Sequence, residues 1–368
     1  MRIALVTEFY YPTVGGIQEH VFHFARQARR AGHSVTIVTA SVRDLPPASS
    51  ETEHDVIHIG RSIPVESNGS VGRVAFGLDL GRRLRRLLTA ERFDLVHVHS
   101  PLCPVLPMLA VRNSSVPVVG TYHTNFARSL RMQLLRRQCQ AIVDGIDVNI
   151  AVSEACIRAV RPYVNGEFRI IPNGVDCGEW SGGHRMSWAR DQLNVLFIGR
   201  LEARNGLDRV LRAWPLLPKG LRANLLVLGD GPVRRQYETL AHELGVPARF
   251  FGSIREHRAD YFASADVLVC PMTIASFGVT LLEGMAAGLP IIASDIDGFR
   301  EILTHGREGW LIDSADASLF AARLSELLES PSLRSRLGDA GQRTAQRYDW
   351  PRVTEQILDV YREVGARA

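Results

Sequence analysis

Short β-branched runs separated by longer stretches of helical periodicity constrain this chain more than any other feature. The runs Ile3 to Thr7, Val35 to Thr39, Leu95 to Val98, Val116 to Val119 and Asn149 to Val152 follow one another in this way. Parallel strands need long crossovers, and a helix is the usual one, so the alternation predicts βαβ units around a parallel sheet. Between the first two runs Ile17, Val21, Phe24, Ala25 and Ala28 recur on one helical face, and Gly32 follows as a stop.

After Ile171-Pro172-Asn173-Gly174 a polar, glycine-bearing stretch reaches Ser187, and the pattern restarts. Val195 to Ile198, Leu225 to Leu228, Arg249 to Phe251, Val267 to Cys270 and Ile291 to Ala293 form the second series. The chain of 368 residues is long enough for two independent cores. We therefore expect an α/β protein with two doubly wound, Rossmann-like domains, residues 1–175 and 176–345. Val353, Ile357, Val360 and Val364 keep helical spacing beyond Trp350-Pro351, so residues 346–368 should carry a helix docked back on the first domain. Such sheets bind ligands at the carboxyl ends of their strands.

Hydrophobic residues at 46% and charged residues at 22% exclude a disordered or fibrous chain. Five scattered cysteines, Cys103, Cys139, Cys156, Cys177 and Cys270, lack C-x-x-C spacing and fit a reducing cytoplasm. No apolar stretch approaches the roughly 20 residues of a membrane-spanning helix. Any membrane contact is therefore expected to be peripheral, and since Met1 leads directly into the first strand without a signal-peptide pattern, export by that route is not expected. The net charge of +4 is mild, but Arg82, Arg83, Arg85 and Arg86 crowd one segment in which Leu80, Leu84, Leu87 and Leu88 form an apolar stripe.

The first run leads into Tyr10-Tyr11-Pro12-Thr13-Val14-Gly15-Gly16, with a helix expected from about Gln18. Glycines before a helix start suit either a tight turn or an anion held by backbone N–H groups. In the second half Ile171-Pro172-Asn173-Gly174-Val175-Asp176, Gly199-Arg200-Leu201, Gly229-Asp230-Gly231-Pro232 and Ser276-Phe277-Gly278 through Glu283 to Gly288 occur in order. This series resembles the family-four retaining glycosyltransferases of GT-B fold, in which a cleft separates the two domains. Gly15-Gly16-Ile17-Gln18-Glu19-His20-Val21, Asn68-Gly69-Ser70-Val71-Gly72-Arg73 and Tyr122-His123-Thr124 are similar to segments of phosphatidylinositol mannosyltransferases within that family.

The resemblance implies a reaction and a set of roles. Mannose would pass from GDP-mannose to a phosphatidylinositol-type lipid with retention, at the inner face of the cell membrane. No metal, no other cofactor and no nucleic-acid partner is expected. His123 and Arg200 take catalytic roles, His123 beside the transferred sugar and Arg200 on the donor diphosphate. Gly15, Gly16, Asn205, Gly229, Asp230, Gly231, Ser253, Ala275, Phe277, Gly278, Val279 and Glu283 fall at donor-binding positions. Gln18, Asn68, Ser70 and Arg73 fall at acceptor-binding ones, although Asn68-Gly69-Ser70 alone would read as a surface turn. The four clustered arginines would meet anionic phospholipid, where each basic residue contributes roughly 1 kcal/mol; by pattern alone they belong to a solvated helix. His97 and His99 read as strand-end residues.

Three positions depart from the family pattern. Ser67 stands where an aromatic residue commonly precedes the Asn, Asn205 replaces the usual Lys, and Ala275 replaces the usual Glu. The last two remove a phosphate cation and a sugar contact. They keep open a second reading, a glycosyltransferase-like protein with another donor or with weak catalysis that binds nucleotide or lipid. A nucleotide-sugar epimerase of the same architecture is a third, and it leaves the Asn68–Arg73 segment and the arginine helix without purpose.

Overall fold

The computed structural model describes residues 1–13, 15–45, 49, 51–67, 70–124, 129–254 and 256–366. The chain divides into two compact units, Met1–Gly174 with Trp350–Ala368, and Val175–Asp349.

The first unit is built on an eight-stranded sheet. Its strands are β1 (Arg2–Val6), β2 (Ser34–Ser41), β3 (Val56–Ser67), β4 (Ser70–Phe76), β5 (Leu95–His99), β6 (Val118–Tyr122), β7 (Val148–Ala151) and β8 (Phe168–Ile170), in the order β4-β3-β2-β1-β5-β6-β7-β8. All neighbours are parallel except β3 and β4, which pair antiparallel from Arg61 with Phe76 to Ser67 with Ser70. The chain reverses its direction of travel across the sheet between β1 and β5, which makes their carboxyl ends the switch point.

Both faces of this sheet are covered, which is why its central strands read as continuous apolar runs. Ile3, Leu5, Val35, Ile37, Leu95 and Val119 pack on one face against Val21 and Phe24 of the helix Gly16–Arg30 and against Val353, Ile357 and Tyr361 of the helix Trp350–Gly365. Ala4, Val6, Val38, Val96 and Val98 pack on the other against Leu84 of the helix Leu80–Ala90 and Leu106 and Ala110 of the helix Leu106–Asn113.

The second unit carries six parallel strands, β9 (Leu193–Ile198), β10 (Ala223–Leu228), β11 (Ala248–Gly252), β12 (Val267–Cys270), β13 (Ile291–Ser294) and β14 (Gly309–Ile312), in the order β11-β10-β9-β12-β13-β14. Here the switch point lies between β9 and β12. Val195, Phe197, Val227 and Val269 meet Leu207 and Leu211 of one covering helix and Phe320 and Leu324 of another.

Several elements differ from the sequence expectation. The run begun at Val116 becomes β6 only from Val118, because Pro117 has no N–H for a ladder. The first helix starts at Gly16 rather than near Gln18. Strands β3, β4, β8 and β14 were not anticipated. Residues 346–349 lie with the second unit, and the first unit resumes at Trp350.

Candidate functional site

In the first unit the switch point gathers buried polar side chains. Glu8 follows β1, is buried, and accepts the N–H of Leu106 at 2.6 Å and of Ala75 at 2.8 Å, tying β4 and a helix start to the sheet centre. Burial outweighs these two bonds and pushes its carboxyl up from 4.5 to about 7.

Four histidines are buried in the same unit, from β5, the end of β6 and the first helix. His97 and His99 sit two apart on β5, so they share a face, and their rings are 4.3 Å apart. His99 pairs in register with Thr121, and His123 comes two residues further on, just past the end of β6. His99 Nδ1 and His123 Nε2 are 3.0 Å apart. His97 contacts the Tyr361 hydroxyl at 2.6 Å and Thr121 Oγ1 at 2.7 Å. His20, from the first helix, donates through Nδ1 to Asn173 Oδ1 at 2.9 Å and packs edge-on to His123. Burial holds all four neutral: His20 falls to about 4, His97 to about 3, and His99 and His123 well below their ordinary value. The Nε2 atoms of His20 and His99 are buried with no hydrogen-bond partner among the described residues. His20, His99 and His123 each offer a nitrogen within 4.8 Å of the others, a spacing that could hold a metal ion only if the His99–His123 hydrogen bond gave way, since one of those two lone pairs is already accepting. The sequence assigns a role to His123 and reads His97 and His99 as strand-end residues, as β5 has them; their i, i+2 spacing is the signal that they share a face, and nothing local joins His20 to them.

A cavity of about 370 Å³ opens next to His123. Arg73 of β4 lines it, as do Phe9, Leu102, Met108, Met132 and Val160. Arg73 is only 12% exposed and already engaged: Nε donates to Ser62 Oγ at 3.1 Å, and Nη2 to the Ser62 carbonyl at 3.2 Å and to Asp44, whose carboxyl it holds below the usual range. Gln18 is buried and donates to Thr13 Oγ1 at 2.8 Å, fastening the loop before its own helix. Gly15 caps that helix in extended conformation and Gly16 is its first residue. Ser70 opens β4, while Asn68 lies outside the described residues.

On the helix Leu80–Ala90, Leu80, Leu84 and Leu88 are buried and Arg82, Arg83, Arg85 and Arg86 are all exposed. Arg85 reaches Asn113 Oδ1 at 2.8 Å and Arg82 approaches Asp79 at 3.2 Å.

The second unit assembles the residues expected to hold a donor at the carboxyl ends of its strands. Gly229 follows β10 at φ 144°, where a Cβ would lie 1.9 Å from the Gly199 carbonyl, so only glycine fits. Gly231 is equally constrained, 2.4 Å from the Leu201 carbonyl, and Asp230 accepts the Leu201 N–H at 2.9 Å through its backbone. Ser253 is exposed just past β11. Gly278 precedes the helix Val279–Ala286, whose first N–H groups lack intrahelical partners as in any helix start, and Phe277 is buried before it. Glu283 is buried on that helix, with both carboxylate oxygens 3.1 Å from Arg258 Nη2, and Arg258 lies over the Trp180 ring.

Arg200 follows β9 and is 48% exposed, its Nε 3.0 Å from the buried carboxylate of Glu202. Arg204 approaches the other oxygen of Glu202 at 2.9 Å. Asn205 is buried and donates to the Arg200 carbonyl at 2.6 Å. Arg209 donates to Ser314 Oγ at 2.5 Å. Arg200 and Arg204 thus share the one carboxylate of Glu202, whereas Arg209 meets a neutral hydroxyl and keeps its full charge. Ala275 packs its carbonyl 2.4 Å from where a Cβ on Gly298 would stand.

Comparison with known proteins adds to this geometry. The family described as Glycosyltransferase Family 4 matches residues 14–179, and that described as Glycosyl transferases group 1 matches residues 186–344. Over 99% of its length the chain is 34% identical to the phosphatidyl-myo-inositol mannosyltransferase of Mycobacterium tuberculosis, 97% of which is covered. It is 27% identical to the D-inositol 3-phosphate glycosyltransferase of Xylanimonas cellulosilytica, covering 96% of this chain and 93% of that one. Among solved structures it superposes on sucrose-phosphate synthase from Thermosynechococcus elongatus (TM-score 0.78, 21% identity, all of both chains). It also superposes on Anabaena HepE in complex with UDP (TM-score 0.80, 19% identity, 99% and 100% covered). At these identities the structural likeness speaks to the fold alone.

Proposed function

This chain belongs to the GT-B glycosyltransferase family that includes the phosphatidyl-myo-inositol mannosyltransferases, and we propose that it transfers mannose from GDP-mannose to the inositol of a phosphatidylinositol lipid. The transfer retains configuration, needs no metal, and takes place at the inner face of the cell membrane, where the helix Leu80–Ala90 meets anionic phospholipid. No helix of the described residues is long and apolar enough to cross a membrane.

The observation that carries this reading is the pairing of Arg73 and His123 on one cavity with largely apolar walls. A guanidinium suits a lipid phosphate, an imidazole suits the reacting sugar, and apolar walls suit the rest of a lipid. In the second unit Arg200 and the amides opening the helix Val279–Ala286 take the donor diphosphate and stabilise the charge that grows on it as the glycosidic bond breaks. Glu283 accepts from ribose hydroxyls, and Gly229 and Gly231 let backbone approach the nucleotide. The acceptor hydroxyl attacks on the leaving-group side, with a donor phosphate oxygen as base. Incubation with a panel of nucleotide sugars and phosphatidylinositol vesicles, read by mass spectrometry, tests donor and acceptor together. Lipid gaining one hexose from GDP-mannose supports the reading, and transfer only from another donor removes GDP-mannose from it.

One observation favours a second reading, a weak catalyst that mainly binds nucleotide. Asn205 is neutral where the family pattern has Lys and is committed to the Arg200 carbonyl, and Arg204 is paired with Glu202, so the diphosphate meets less positive charge unless Arg209 turns to it. Nucleotide binding without any hexose transfer would favour it.

A further inference from the structure

We propose that the first-unit cavity takes the leading part of one acyl chain of the acceptor lipid, with the phosphate at Arg73 and the chain leaving past Leu135. This rests on the reading that the acceptor is a phosphatidylinositol lipid, and it identifies what distinguishes that lipid from a water-soluble inositol phosphate.

Three observations converge on it. The cavity lining combines Arg73 and His123 with apolar walls that include Leu102, Met108, Met132 and Val160. Its volume of about 370 Å³ holds about a dozen groups of the ~30 Å³ that a water claims in the liquid. That suits part of one chain and not two. An apolar space of this kind favours hydrocarbon over water.

The cavity is also continuous with an apolar surface. Leu135 both lines it and is half exposed, and it directly follows Leu130 and Leu134 of the short helix Leu130–Leu134, which are 79% and 84% exposed. Val65 of β3, opposite Gly72 in register, likewise lines the cavity while exposed, with Ile63 exposed on the same face of the strand. Leucines so exposed are a cost in water that a bilayer's acyl region removes. Finally, Arg136 and Arg137 follow the leucines and are both exposed. Apolar side chains edged by cations match an anionic phospholipid surface, from which a chain can enter without crossing water.

The test uses the full chain without donor. Lysophosphatidylinositol carrying a diazirine in the middle of its acyl chain is bound and irradiated, and the label is mapped by mass spectrometry. Label on peptides carrying Met108, Met132 or Val160 is expected. Met132→Trp and Val160→Phe should each cut it about tenfold, the loss expected when about two methylenes no longer reach an apolar wall. Label confined to the Leu130–Leu134 surface, or unchanged in both variants, overturns the proposal. If neither variant folds, the wild-type map decides. Since no sugar is present, a protein that transfers no mannose can still confirm the acyl site. Conversely, a protein that mannosylates phosphatidylinositol but carries label outside the cavity refutes this inference alone.

Discussion

His99 Nδ1 and His123 Nε2 stand 3.0 Å apart at the ends of adjacent parallel strands, both buried and both neutral. One ring must donate and the other accept, so His99 fixes the tautomer and the plane of the imidazole assigned to the transferred sugar. His99→Ala is expected to lower kcat about tenfold, as the loss of one buried hydrogen bond worth ~1–1.5 kcal/mol would. The KM for donor should change little. Steady-state kinetics separates this from simple unfolding, in which the fraction of active enzyme falls without a change in the pH profile of kcat.

The same cluster sets a pH dependence. His20 is lowered from 6.5 to about 4 and His97 to about 3, with His99 and His123 also lowered. Between those values and 6.5 the unfolded chain binds more protons than the folded one, so the stabilisation is complete above pH 6.5 and is lost as pH falls. Glu8 acts oppositely: raised from 4.5 to about 7, its contribution is complete below pH 4.5 and is lost as pH rises through 7. Four groups outweigh one, so urea unfolding should show stability rising from pH 4.5 to 6.5. A flat or falling profile would contradict the burial of the histidines.

Glu8 holds two otherwise unsatisfied buried N–H groups. Glu8→Ala should destabilise the first unit by about 2 kcal/mol or more, since each orphaned buried donor costs about 1–3 kcal/mol. Calorimetry should show a lower melting temperature for that unit at pH 6.

Much of the fold was legible because strands buried on both faces must be apolar throughout, as Ile3 to Val6 and Val195 to Phe197 are. The β3–β4 hairpin was not, because it inverts the usual pattern: Ser62 is buried against Arg73, while Ile63 and Val65 are exposed, Val65 at the rim of the cavity. Arg73 was found by its segment, yet its partner Asp44, 29 residues away, carries no local signal. Glu8 carries no local signal for the same reason, since its partners Ala75 and Leu106 are brought to it by tertiary packing. The lost lysine at Asn205 was legible; that its amide is spent on the Arg200 carbonyl was not.

The four exposed arginines of the helix Leu80–Ala90 leave its packing to Leu80, Leu84 and Leu88. Replacing Arg82, Arg83, Arg85 and Arg86 together by Ser removes the Arg85–Asn113 bond and some helix propensity, so the melting temperature should fall modestly with the fold kept. Binding to anionic vesicles should weaken by at least about a hundredfold at low salt, given roughly 1 kcal/mol per basic residue near such a surface. Wild-type binding should fall as salt rises. Vesicle sedimentation that does not distinguish the two proteins would remove this helix from the membrane account.

Asn205→Lys with Ala275→Glu returns a cation where the leaving diphosphate gains charge and a carboxylate where sugar hydroxyls bind. Hexose transfer from GDP-mannose should rise at least about tenfold, with less than additive gains from the single variants if both act on one donor pose. No gain in a folded double variant would show that these positions do not face the donor.

The central claim is mannosyl transfer to phosphatidylinositol, and the most direct measurement follows carbon-13 mannose from GDP-mannose into vesicle lipid by NMR. The expected result is one α-linked mannose on inositol, with Arg73→Ala slowing its appearance while leaving calorimetric binding of GDP unchanged. Labelled mannose appearing only as free sugar or on water-soluble inositol phosphate, with the lipid unmodified, would contradict it.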